Sequence, residues 1–158
     1  MGAMARFATS HDQVRYIASM HDEDPKLRLA PLLDVLTTRL PTLIAVYRYG
    51  SFGTIHERND SDIDLGLQAG HKLDPVTLFE LAAELGTLAG REVDLVDMVA
   101  CSTVMRAQIV ATGEVIFCRD TYLCDSFAAT AFSRYAHLNE ARRGILEDVQ
   151  ARGSIHGR

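Results

Sequence analysis

Apolar and polar positions change period along this chain, and the changes mark out its elements. From Leu27, the residues Leu29, Leu32, Leu33, Val35, Leu36 and Leu40 recur with helical spacing, while Arg28, Asp34 and Arg39 fall outside the stripe. Pro41 ends that helix. The unbroken run Leu43-Ile44-Ala45-Val46-Tyr47 has the length and composition of a buried strand, and Gly50-Ser51 stops it. A short helix is expected over Phe52 to Glu57, and Asn59-Asp60-Ser61 breaks into a second strand from Asp62 to Leu67. Asp74 and Pro75 open a helix that turns Leu78, Leu81, Ala82, Leu85 and Leu88 inward and closes at Gly90. Glu92 to Asp97 forms a third strand, with Val93 and Leu95 on one face and Asp94 and Val96 on the other. Ser102 caps a helix that ends near Gly113, and Glu114 to Phe117 gives a fourth, short strand.

From about Tyr122 to Gln150 the chain predicts one long helix or two in sequence. Its stripe is Ala131, Tyr135, Leu138, Ala141, Ile145 and Val149, with Gly144 as the weak point. Residues 1–25 read as an N-terminal arm, loose or with one short helix. Residues 26–158 read as a single domain whose C-terminal helical segment starts at about 120, with a frayed tail after Gly153. The expected fold class is α/β (α+β): a small mixed sheet of about four strands flanked by helices, with a helical C-terminus.

Composition narrows the function. The 158 residues suffice for one domain with a real core. A net charge of −5 argues against a broad nucleic-acid footprint or an anionic membrane surface. Lys26 and Lys72 are the only lysines, so positive charge rests on arginine, the better bidentate partner for phosphate or carboxylate. Cys101, Cys118 and Cys124 have no metal-ligand spacing and are expected to be reduced, mostly buried thiols. No apolar run approaches membrane-spanning length and no signal peptide is visible, and a cytoplasmic location is expected.

The chemistry concentrates between Tyr49 and Leu67. Alternation along a strand puts Asp62 and Asp64 on one face, about 6–7 Å apart along the backbone. Two such carboxylates repel each other and call for a hard cation such as Mg2+. Gly50-Ser51, at a strand end, can offer backbone amides and a hydroxyl to a phosphate. Asp94 is a third acid from a neighbouring strand, able to complete a metal site or to take the proton of an attacking hydroxyl. Each feature alone is ordinary, because a Gly-Ser is usually a turn and an Asp-x-Asp usually a solvated edge. In this order they describe phosphoryl or nucleotidyl transfer. Asp97 is expected to cap or be solvated. His56 and Arg58 are loop residues near the phosphates, and the remaining histidines are surface residues.

Gly50-Ser51, ten residues, Asp62-Ile63-Asp64, and then Asp94 within Glu92-Val93-Asp94-Leu95-Val96 resemble the DNA polymerase β-like nucleotidyltransferase superfamily. The resemblance covers roughly residues 27–120. The size and layout look most like the minimal nucleotidyltransferases, in particular the MntA-type antitoxins paired with a HEPN-domain toxin. The resemblance implies transfer of AMP from Mg-ATP to a tyrosine hydroxyl of that toxin. Asp62, Asp64 and Asp94 would be the metal and catalytic triad, and Gly50, Ser51 and Ser61 would contact the nucleotide. Phe52, Thr54, Ile55 and His56 stand where relatives often carry small or basic residues and a second glycine. Two other readings fit the residues: a binding antitoxin that masks its partner without catalysis, and a nucleotidyltransferase acting on a small molecule.

Overall fold

The computed structural model describes residues 25–58 and 60–152, so the expected N-terminal arm and the tail beyond Arg152 lie outside the described residues. Eight elements follow in order. They are α1 (Pro25–Arg39), β1 (Leu43–Tyr49), β2 (Ile63–Ala69), α2 (Pro75–Ala89), β3 (Val93–Asp97), α3 (Thr103–Thr112), β4 (Glu114–Cys118) and α4 (Thr121–Arg152). The strands form one mixed sheet in the order β3-β2-β1-β4. β1 pairs antiparallel with β2 and with β4, while β2 and β3 run parallel. The parallel pair is joined by α2 as its crossover, as parallel strands require.

β2 is the second strand of the sheet and is buried on both faces. Its odd positions Ile63, Leu65 and Leu67 pack with Leu29, Leu32, Leu36, Leu81 and Leu85 of α1 and α2. On the opposite face Tyr47 and Ala45 meet Met98, Ile109 and Cys124 beneath α3 and α4. The caps agree with the sequence reading: Asp74 accepts from the Thr77 amide at 2.9 Å, Ser102 accepts from the Met105 amide at 3.1 Å, and Gly90 closes α2 in the left-handed region at φ 67°.

Three expectations need correction. Phe52 to Glu57 is not a helix but two successive turns, closed by Thr54 N–H to the Ser51 carbonyl and Glu57 N–H to the Thr54 carbonyl. Gly53 at φ 71° interrupts any helical continuation there. β1 runs to Tyr49 and stops at Gly50, as expected, with Arg48 and Tyr49 paired to Leu65 and Asp64 of β2. Cys118 and Cys124 are not free thiols: they form a disulfide that ties the end of β4 to the first turn of α4, and among the described residues only Cys101 is free. Asp97 is 7% exposed rather than solvated, and its carboxylate accepts from the Leu73 and Val99 amides at 2.9 and 2.8 Å. A carboxylate receiving two backbone N–H groups needs no solvent to remain paired.

The C-terminal segment is one helix that passes through Gly144 unbroken. Only its N-terminal part rests on the domain. Ala131 is 1% exposed, whereas Phe132, Tyr135, Ile145 and Leu146 lie open to solvent.

Candidate active site

The loop from Gly50 to Asp62 joins two antiparallel neighbours, β1 and β2, and carries most of the polar chemistry. Pairing register fixes what faces what. Tyr49 lies opposite Asp64, and Asp64 lies opposite Asp94 on the parallel neighbour, so these three stand in one cross-strand row. Residues directly opposite in a ladder project to the same face, which brings Asp64 and Asp94 side by side. Asp62 immediately precedes β2. Together with Asp64 it lines a cleft of about 420 Å³ shared with Ser51, His56, Arg58, Asp60 and Ser61.

The electrostatics follow from this placement. The Asp64 carboxyl is held above the usual carboxylate range, first by burial and then by the negative charges of Asp94 and Asp62. The Tyr49 phenol is pushed up to about 12, mainly by burial and further by Asp64 and Asp94. A half-buried carboxylate with two further acids close enough to raise it belongs to a donor set suited to a hard cation. They are not drawn together into a closed cage: among the described residues, no three side chains already stand at metal-ligand spacing. Asp62 and Asp94 are exposed and have room to turn inward.

Gly50 is fitted to this set. Its φ is 72°, and a Cβ built there would fall 2.0 Å from Asp64 Oδ2. Only a residue without a side chain lets the turn pass the carboxylate this closely. The turn is then held by hydrogen bonds. Ser51 Oγ donates to Ser61 Oγ at 3.1 Å, and Ser61 Oγ also accepts from the Arg58 amide at 2.8 Å. The Arg48 guanidinium donates to the Phe52 carbonyl and, at 2.8 Å, to Glu114. Gly53 N–H donates to Glu57 Oε2 at 2.9 Å, so this amide faces away from the cleft.

Ser51, Ser61, Asp62 and Asp64 meet at this cleft with Gly50 against Asp64, whereas Asp94 stands beside Asp64 in the sheet and lines a neighbouring hollow with Arg91 and Val93. Tyr49, Arg48, Glu57 and Arg91 were not singled out from the sequence. For Tyr49 the signal was present: it stands at a strand end directly before the Gly-Ser turn. A second hollow, of about 390 Å³, lies between the sheet and α4. Its buried cation, Arg106, is already occupied by the carbonyls of Met98, Val99 and Cys101 at 2.6 to 3.1 Å, a structural role.

Comparison with known proteins fits this geometry. Residues 32–122 match the family described as polymerase beta, nucleotidyltransferase. The chain belongs to that family. It is 34% identical over 121 residues to the protein adenylyltransferase MntA of Shewanella oneidensis, covering 76% of this chain and 86% of MntA. Among solved structures, it resembles a chain of a toxin–antitoxin crystallised with AMP-PNP, with a TM-score of 0.68 and 31% identity over 79% of this chain and 98% of that one. A complex of tri-AMPylated Shewanella oneidensis HEPN toxin with MNT antitoxin matches equally, with a TM-score of 0.68 and 31% identity over 80% and 98%. This nucleotidyltransferase has no described helix long and apolar enough to cross a membrane.

Proposed function

We propose that this nucleotidyltransferase is an antitoxin that moves AMP from ATP to a tyrosine hydroxyl of a cognate HEPN-domain toxin and so neutralises it, working in the cytoplasm where ATP is supplied. The observation that carries the reading is the three-carboxylate set of Asp62, Asp64 and Asp94 beside the Gly50-Ser51 turn, in a chain akin to a protein adenylyltransferase. A divalent cation, Mg2+ by the oxygen-only donor set, would be held by Asp62, Asp64 and Asp94 and would neutralise the charge that builds up on the transferring phosphoryl group.

The chain's own residues do the rest. Ser51 and Ser61, hydrogen-bonded to each other at the cleft, bring their hydroxyls to the triphosphate, and the close passage of Gly50 sets the turn against Asp64. The acceptor oxygen forms a bond to the α-phosphorus as the bond to the bridging oxygen of pyrophosphate breaks, and pyrophosphate leaves. The acceptor's proton passes to a carboxylate, and Asp94 is the exposed member of the cross-strand row. His56 and Arg58 line the same cleft, and the Arg58 guanidinium brings a positive charge to it for the phosphates.

An acceptor carried by a protein must be delivered by docking. The outer half of α4 leaves Ile145 and Leu146 uncovered by the described chain, Tyr135 near its middle is partly exposed, and Leu27, Val76 and Phe79 add apolar surface on α1 and α2. The double variant Tyr135→Asp/Ile145→Asp is expected to weaken association with the partner at least tenfold while leaving the melting temperature within a few degrees, as calorimetry and thermal melts will show.

The transfer itself is tested with ATP labelled at the α-phosphorus in one reaction and at the γ-phosphorus in another. Incorporation into the partner from the α-label alone is the expected result. Incorporation from the γ-label contradicts nucleotidyl transfer. If neither label is incorporated while the partner is neutralised, silencing is by masking.

A further inference from the structure

We infer that Glu57 and Arg91 form a positioning clamp that holds the Gly50–Gly53 turn and Asp62 in register with Asp94, and that the cation affinity of the three carboxylates depends on this clamp; the inference rests on the reading of the site proposed above. Neither residue lines the polar cleft, so neither is placed to touch the nucleotide there.

The clamp joins every segment that carries a site residue. Glu57 Oε2 accepts from the Gly53 amide at 2.9 Å, three residues beyond Gly50. Its two oxygens also receive both arms of the Arg28 guanidinium, at 2.9 and 2.6 Å, which anchors the turn to α1. Arg91 Nη1 donates to Glu57 Oε1 and to the Ser61 carbonyl, both at 3.1 Å. Ser61 directly precedes Asp62, and Arg91 lies three residues before Asp94. One nitrogen thus ties the approach to β3 to two points of the loop that leads into Asp62. Phe52, 2% exposed, is sandwiched at the centre, with Arg28 and Arg91 at 4.4 and 5.2 Å from its ring.

Charge makes the arrangement cooperative. The Glu57 side chain is 8% exposed, and those of Arg28 and Arg91 are 11% and 20% exposed. The flanking guanidinium of Arg28, with the Gly53 amide and Arg91, holds the Glu57 carboxyl down to about 2 against the opposing effect of burial. At neutral pH one negative charge therefore keeps two positive charges together. Neutralising it leaves two half-buried guanidiniums facing each other, frees the Gly53 amide and releases Arg91 from Ser61.

A merely structural cluster would lower the melting temperature and leave the carboxylates' affinity for a cation untouched, so the test reads that affinity directly. Mn2+ binding to the full chain without nucleotide is followed by loss of the free-ion paramagnetic resonance signal, alongside thermal melts. Glu57→Gln and Arg91→Met are each expected to raise the Mn2+ dissociation constant at least fivefold. Arg39→Met breaks an exposed pair with Glu84 remote from the cleft and is expected to leave the constant unchanged. Arg91→Met, at the more exposed end of the clamp, keeps the test open if Glu57→Gln does not fold. Folded variants with lowered melting temperatures but the parent's Mn2+ affinity would overturn the clamp. A parent chain that binds no Mn2+ would overturn the carboxylate site itself, and the clamp with it.

Discussion

Replacing Asp62 and Asp64 together by Asn is expected to reduce AMP transfer by about three orders of magnitude or more, with the fold intact. Asn keeps the size of Asp and some of its hydrogen bonding but removes the charge that holds a cation, and the lost stabilisation of the transition state amounts to several kcal/mol. Stability should move the other way. The Asp64 carboxyl titrates above its usual range because it is buried beside Asp94 and Asp62. Across the interval between its ordinary pKa and that raised value the folded protein binds more protons than the unfolded one, so this group costs stability as pH rises through the interval. The cost is complete once the pH exceeds the raised value and disappears below the ordinary carboxylate pKa. Without added metal the double variant should therefore melt at or slightly above the parent temperature at pH 7, and the difference should shrink toward about pH 4. Adding Mg2+ with ATP should raise the parent's melting temperature and not the variant's. A variant that melts far below the parent at pH 7 would mean that these carboxylates hold the fold.

Gly50→Ala is expected to cost both activity and stability, the reverse of the aspartate pair. At φ 72° an alanine costs about 1–2 kcal/mol of backbone strain. Its Cβ would also lie 2.0 Å from Asp64 Oδ2, a separation that no rotamer adjustment of the turn absorbs, so Asp64 must swing away. Displacing a group by about 1 Å in such a site lowers turnover about a hundredfold. Thermal melts and initial rates on the same preparation will separate the two effects. The change should appear in kcat more than in the KM for ATP, because the displaced group is a carboxylate and the turn's hydroxyl remains. A Gly50→Ala chain with the parent's rate would show that Asp64 and the turn need not be in contact.

Much of this was legible in the sequence, for reasons that differ by element. α2 could be bounded at both ends because Asp74, Pro75 and Gly90 each act locally, through a side-chain cap, a preset φ and a left-handed closure. The strands were legible because period and composition agreed, and the alternation of Val93 and Leu95 with Asp94 placed the third acid on the correct face. The turn after Ser51 was not legible. Phe52 looks like the start of a helical stripe, but it is buried between two arginines from α1 and the β3 approach, a contact set by tertiary structure alone. Glu57 stands out in the sequence only as the end of the expected short helix, since Arg28 and Arg91 lie 29 and 34 residues away. Cys118 and Cys124 were missed because pairing depends on the approach of β4 to α4, which spacing does not reveal. The apolar stripe of α4 was correctly periodic, yet periodicity does not say whether this chain or another covers it. Here it covers only the first turns, through Ala131.

The central claim is covalent transfer of AMP to a tyrosine of a protein partner, and intact-mass spectrometry of that partner tests it most directly. The cognate HEPN-domain protein is incubated with this chain, ATP and Mg2+, and then fragmented to locate any added mass. The account predicts one or more added AMP groups on tyrosine with the parent chain, and none with the Asp62→Asn/Asp64→Asn variant. A partner that is neutralised by the parent yet keeps its unmodified mass, or one modified equally by the variant, would contradict it.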